Sequence, residues 1–377
     1  MKILIINNGY PSEKNLYGDV FVHVRVKEYQ RFHECLIISL EAKEDFVYEG
    51  VPVKACKDTK EANEIIRQYN PDVILIHFVL KIFIEEIIPL YKVPVIIWIH
   101  GYEALGWYRR LFNYTWRNYL PHNLLSMARS NRQQLKSLAS LIRKSNTGSN
   151  IFFVFVSSWM RKICEADTSV KVKYARIIPN PINVNLFNYS PKNAEKRKRI
   201  LLIRPFSSKK YATDIATNAI WKLSGSASFK DFHITIIGKG PNFKKYTDRF
   251  KKFNNVSLIE NFLTQTEIKR YHDDHGIFLC PTRQDAQGVS MCEAMSSGLV
   301  PVTSFNTAIP EFVEDGKAGF LTSSVSEIAD KVIFLYNHPE RFSEMSAYAA
   351  SSIKTKCAIE NIVNQELELI ESQVQSV

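Results

Sequence analysis

The chain is poor in cysteine for its length, with six in 377 residues, at positions 35, 56, 164, 280, 292 and 357. No two form a Cys-x-x-Cys, and none stands at zinc-finger spacing with a histidine. Neither a disulfide framework nor a zinc module is therefore written into it. Cys35 and Cys280 lie inside the apolar runs ECLIISL and IFLC, where a free thiol packs as a small hydrophobe. This usage predicts a reducing, cytoplasmic setting. No apolar run approaches the roughly 18 residues of a membrane span. The run opening MKILIINNGYP breaks at Asn7-Asn8-Gly9, too early for a secretory signal. GxxxxGK[ST] and GxSxG are absent, which disfavours P-loop phosphoryl transfer and a hydrolase elbow.

What is present is ordinary globular composition, 45% hydrophobic and 23% charged. At about 150 residues per domain, the length suggests two or three domains. The 49 basic and 38 acidic residues leave a net charge of +11. That balance favours anionic partners such as nucleotides or acidic lipid headgroups.

Short, nearly continuous apolar runs alternate with longer amphipathic stretches. KILII (2–6), CLIISL (35–40), DVILIH (72–77), VPVIIWIH (93–100) and IFFVFV (151–156) read as strands buried on both faces of a parallel sheet. EANEIIRQY (61–69) reads as one of the helices between them. The polar stretch 183–199, ending in a charge cluster, reads as a linker. A second rhythm follows in RILLI (199–203), FHITIIG (232–238), NVSLI (255–259), GIFLC (276–280) and LVPVTS (299–304). The fold class predicted is α/β: two Rossmann-like domains, 1–182 and 200–356, with a last helix over about 357–377. In such sheets ligands bind beyond the C-terminal ends of the strands.

The most informative segment is CPTRQDAQGVSMCEAMSSGLVPVTS (280–304). A strand ends near Cys280, and a loop carries Asp285 and Gly288. A helix then starts near Val289 or Ser290 and stops at Gly298. Glycine lets backbone approach a ligand, and the free N–H groups of a helix start bind phosphate. Asp285 and Glu293 flank that start and suit sugar hydroxyls. Ser290-Met-Cys-Glu293 also fits a capping box, in which Glu293 merely caps its helix.

This segment resembles the signature of retaining glycosyltransferase family 4, two glutamates separated by seven residues and followed by EAMxxGxPVV. IPEFVEDGKAGFL (309–321) is similar to the family's PE…DG…G tail, and LLIRPFSSKK (201–210) to its GRLxxxKG. IIPNPINVNLF (177–187) is similar to IPNGVDxxxF, and WIHGYE (98–103) to its HG motif. The likeness is strong over 175–325 and diffuse before residue 90. Departures are Asp285 for the first glutamate, Pro181 and Asn183 in the PNG turn, Ile203 before Arg204, and Lys210 for a glycine.

The resemblance implies the GT-B architecture, two facing Rossmann-like domains with a central cleft, and a C-terminal helix returning to the first. It implies a metal-independent hexosyl transfer that needs no cofactor, from a nucleotide sugar to a glycan or lipid-linked acceptor, as in bacterial surface-polysaccharide synthesis. The family's roles carry over position by position. Arg204 and Lys209 would hold the diphosphate, and the amides near Gly288, Val289 and Ser290 the phosphate nearer the sugar. Glu293 would take the ribose, Asp285 the sugar, and Gly238 and Gly240 the base. His100 would approach the sugar, and Gly9 lies in the loop over the diphosphate. No DxD triplet, the metal–diphosphate device of the other major glycosyltransferase fold, is present. An inactive sugar-nucleotide binding module and a nucleotide-sugar epimerase are the alternative readings.

Two further features stand out. Segment 101–150 has eight Lys/Arg and one acidic residue, Glu103, with Trp107, Tyr108, Phe112, Tyr114, Trp116 and Tyr119 interleaved. This composition suits an anionic membrane face and predicts peripheral contact with the inner face of the cell membrane. A packed helix face and RNA are the other readings, but no nucleic-acid module is visible. His272-Asp273-Asp274-His275 superficially resembles a metal cluster. Successive helical side chains diverge by about 100°, so the four cannot converge.

Overall fold

The computed structural model describes residues 1–13, 15, 18–113 and 121–375, with side chains from 124 in the helix Pro121–Ser145. The chain forms two compact units, Met1–Pro181 with Ile359–Val377, and Ile182–Ala358.

The first unit is built on eight strands: β1 (Lys2–Asn7), β2 (Glu34–Ser39), β3 (Phe46–Tyr48), β4 (Val51–Ala55), β5 (Val73–His77), β6 (Val95–Ile99), β7 (Ile151–Phe155) and β8 (Ala175–Ile177). Their order is β3-β4-β2-β1-β5-β6-β7-β8. All neighbours run parallel except β3 and β4, which form a hairpin through Glu49 and Gly50. Both turn residues have positive φ, 45° and 86°, as a two-residue turn of the right twist requires. β1, β5 and β6 are buried along almost their whole length, the reason their sequences lack alternation.

The helix Ile359–Gln375 belongs to this unit. Ile362, Leu369 and Ile370 join the core formed by Ile3, Leu75 and Trp98. The helix also brings a buried ion pair, Glu366 to Arg25 at 3.4 Å.

The second unit has six parallel strands: β9 (Arg199–Ile203), β10 (His233–Ile237), β11 (Val256–Ile259), β12 (Ile277–Leu279), β13 (Val300–Ser304) and β14 (Phe320–Thr322), in the order β11-β10-β9-β12-β13-β14. The segment 183–199, expected as a free linker, is instead tied into this unit. Lys192 Nζ donates to His272 O at 2.6 Å, and Arg197 Nε to Tyr336 O at 2.9 Å. Its charges bond backbone carbonyls of that unit, which its polar composition does not reveal.

Candidate functional site

Each sheet has one place where successive strands leave in opposite directions, and there the loops part to leave a crevice. In the second unit this switch point lies between β9 and β12. Arg204 is the first residue past β9 and is 5% exposed. Its Nη1 donates to Ser290 Oγ at 3.1 Å and its Nη2 to Cys280 O at 3.4 Å, while Nε has no partner among the described residues. The chain thus folds a cation into the crevice and leaves part of its donor capacity unspent.

The loop after β10 supports it. Arg204 N bonds Ile237 O and Phe206 N bonds Lys239 O. A Cβ on Gly238 would stand 2.0 Å from Arg204 O, and one on Gly240, at φ 143°, 2.7 Å from Ser207 N. Both glycines are therefore required by the Arg204 loop itself, beyond any room they leave for a base.

Gly288, at φ 82°, caps the helix Val289–Ser296. The N–H groups of Val289, Ser290 and Met291 begin the helix and have no carbonyl one turn back. Asp285 shapes this entrance, its Oδ1 accepting from Gly288 N at 2.9 Å and Gln287 N at 3.3 Å. With the cap at Gly288, Ser290 lies inside the helix and is bonded to Arg204, so the Ser290–Glu293 capping box does not form. Glu293 is half-buried, accepts from Gln265 Nε2 at 3.4 Å, and is pushed up to about 8 by burial.

Lys209 opens a short 3-10 turn, Lys209–Tyr211, and is half-buried. Its ammonium has no partner among the described residues. Arg283 holds the turn, donating to Lys209 O at 2.7 Å and gripping Asp214 through two bonds of 2.8 and 2.7 Å. Burial alone would raise the Asp214 carboxyl, but Arg283 holds it below the usual range. Sequence reading missed this pair, since nothing in the pattern links 214 to 283.

In the first unit the switch point lies between β1 and β5. Asn7-Asn8-Gly9 ends one strand, and His77-Phe78 the next. Gly9 is buried, its carbonyl accepts from Asn7 Nδ2, and a Cβ there would meet Glu41 Oε2 at 3.0 Å. Asn7 Nδ2 also donates to Asp19 at 3.1 Å, and burial lifts the Asp19 carboxyl to about 6.

His100 follows β6 and is 8% exposed. Its ring packs on Phe78 and Phe21, with centroids at 4.7 and 4.9 Å. Phe78 takes φ 57°, an uncommon backbone for an aromatic residue, and also stacks on Tyr102. Glu103 clamps the turn, accepting from His100 N at 2.5 Å and Gly101 N at 3.0 Å; burial raises it to about 7.

The His272–His275 cluster diverges. His272 faces Ser297 Oγ at 3.2 Å, His275 faces Thr235 Oγ1 at 2.9 Å, and Asp274 pairs with Lys196 at 3.3 Å. Among the described residues no group of three His, Cys, Asp or Glu could hold a metal ion.

The basic segment forms a groove of about 630 Å³, bounded by Trp107, Tyr108 and the helix Pro121–Ser145. Arg129, Arg132, Lys136 and Arg143 line it, all exposed, beside Leu125. Arg109 and Tyr108 anchor the rim on Asp167. Tyr114, Trp116 and Tyr119 lie outside the described residues. No helix among the described residues is long and apolar enough to cross a membrane.

Two parallel α/β sheets, each with a candidate site at its switch point, are the GT-B class of fold. Anabaena Alr3699/HepE, in a structure with UDP and glucose, shares it: TM-score 0.69 at 13% identity, over 99% of this chain and 100% of that one. Residues 197–338 match the family described as glycosyl transferases group 1. The alpha-monoglucosyldiacylglycerol synthase of Acholeplasma laidlawii is 26% identical over 130 residues, 34% of this chain and 32% of its own. A putative colanic acid biosynthesis glycosyltransferase, WcaL of Salmonella typhimurium, is 34% identical over 98 residues, 24% of each chain. The matched stretch thus spans about a third or less of these relatives.

Proposed function

We propose that the protein is a retaining glycosyltransferase. It moves a sugar from a nucleoside diphosphate sugar to a hydroxyl of a glycan or lipid-linked saccharide, in bacterial surface-polysaccharide synthesis. The observation that carries this reading is Arg204, buried at a switch point, bonded to the first turn of a helix and with a donor unspent. A pyrophosphate is the ligand that answers a guanidinium fork, free helix-start amides and the lysine of the turn that follows the same strand.

Arg204, Lys209 and the amides of Val289 and Ser290 stabilise the charge that grows on the departing diphosphate. Charge from these groups makes the transfer metal-independent. Glu293, protonated at neutral pH, both donates to and accepts from the ribose hydroxyls. Asp285 takes a sugar hydroxyl through the oxygen its loop leaves unused, and His100 takes another. Gly238 and Gly240 bring backbone close to the base. The bond from the anomeric carbon to the diphosphate oxygen breaks while the acceptor oxygen bonds that carbon on the same face. The acceptor's proton passes to the departing diphosphate, and positioning supplies much of the rate.

The cationic row 129, 132, 136 and 143 recurs on one helix face over about 21 Å. An anionic membrane surface, holding a lipid-linked acceptor in the cytoplasm, matches that row and its flanking Leu125 and Trp107. The diacylglycerol named for the Acholeplasma relative supports this partner.

The test is incubation with UDP-glucose and other nucleotide sugars, with and without lipid-linked saccharides, following diphosphate release and product configuration by NMR. Release that depends on acceptor, with the anomeric configuration kept, is expected. Binding without turnover would make the chain an inactive binding module, and isomerised donor without acceptor an epimerase.

A further inference from the structure

Behind His100 runs a buried chain of side chains whose protons can be placed from geometry. His100 Nε2 lies 2.8 Å from His77 Nδ1, and His77 Nδ1 also lies 3.3 Å from Arg25 Nη1. Arg25 is fixed in turn by Asn180 Oδ1 at 3.0 Å and Glu366 at 3.4 Å. His77, Arg25 and Glu366 are fully buried. His100 Nδ1 is buried and has no partner among the described residues.

A guanidinium has donors only. Facing Arg25, His77 Nδ1 must present a lone pair, which puts the His77 proton on Nε2. His100 Nε2 must then be the donor in the 2.8 Å contact. A neutral imidazole carries one N–H, so His100 Nδ1 is left as a lone pair. The opposite assignment would aim an imidazole N–H at a buried guanidinium. Its cost exceeds that of the unpartnered His77 Nε2–H, which the chosen assignment accepts. Charging either ring is opposed first by burial and then by Arg25, which together hold both histidines well below their usual range.

We propose that His77 and Arg25 are positioning residues that lock His100 as its Nε2–H tautomer, so that the site meets its ligand with a hydrogen-bond acceptor at Nδ1. Such an acceptor takes a hydroxyl O–H and rejects a carbonyl or phosphate oxygen, which has only lone pairs to offer. Resting on the transferase reading, that group is a hydroxyl of the transferred sugar. Specificity at this point is then for a hydroxyl able to donate, which a deoxy or fluoro sugar lacks.

The test is the long-range 1H–15N spectrum of the histidine rings in the full chain, with His77→Asn and His77→Leu beside it. Expected are a protonated Nε2 and a bare Nδ1 on both His77 and His100. Asn offers Oδ1 where Nδ1 stood, so His77→Asn keeps the His100 tautomer, and His77→Leu releases it to a mixture. With UDP-glucose as donor, His77→Leu loses about tenfold in kcat/KM, the size of one hydrogen bond, and His77→Asn recovers most of it. A proton on His100 Nδ1 in the parent chain overturns the proposal, whether or not sugar is transferred. Equal losses in both variants overturn the positioning role. The expected tautomers without turnover on any donor would leave the proton placement standing and remove the transferase reading instead.

Discussion

Arg204 and Ser290 are 86 positions apart, yet Nη1 of one donates to Oγ of the other at 3.1 Å. The bond joins the end of β9 to the first turn of the helix after β12, and so assembles one anion site from two loops. Ser290→Ala should leave the fold intact and weaken UDP binding about fivefold, the worth of roughly 1 kcal/mol. Calorimetric titration checks it, and unchanged affinity would detach the serine from the site.

Gly238→Ala asks for a methyl 2.0 Å from the Arg204 carbonyl. The loop must move, at about 1–3 kcal/mol or more. We expect a lower Tm together with weakened nucleotide binding. A variant as stable and as tight as the parent would contradict the packing described.

Glu293 supplies a pH dependence. Burial lifts its carboxyl from the ordinary 4.5 to about 8. Between those values the folded state holds a proton the unfolded chain has released, so this group's contribution falls as pH rises from about 4.5 to about 8. Glu293→Gln removes that slope. Its Tm relative to the parent should rise across this window, read by thermal melts at several pH values.

The buried pair Arg25–Glu366 ties the last helix to the first unit. Glu366→Ala strands a buried guanidinium and should cost about 3–5 kcal/mol. The double variant Arg25→Met with Glu366→Leu should recover much of that loss in urea unfolding.

Reversal of the groove's charges, Arg132→Glu with Lys136→Glu, should weaken binding to vesicles containing phosphatidylglycerol. At about 1 kcal/mol for each cation removed, the loss is twentyfold or more, measured by co-sedimentation at low and high salt. No change would dismiss the membrane partner.

Sheet strands were legible where burial on both faces made the run continuous, as in KILII and RILLI. The hairpin Phe46–Ala55 and the edge strands β8 and β14 were not, because runs of three to five residues are too short to show a period. Arg204, Gly288 and Glu293 were legible because a motif places them on one strand end and one helix. His77, Arg25 and Glu366 escaped notice because the contacts among them span 52 to 341 positions, and a polar residue in an apolar run gives no sign of its partner. Asn180 likewise read only as part of a turn, whereas it holds Arg25.

The proposed function turns on Arg204 meeting a diphosphate. Calorimetric titration of UDP and UDP-glucose into the parent chain and into Arg204→Ala tests it most directly. Binding by the parent is expected, with a loss of about ten- to a hundredfold in the variant, the range of a charge-assisted hydrogen bond. Equal affinity in the two proteins would contradict it.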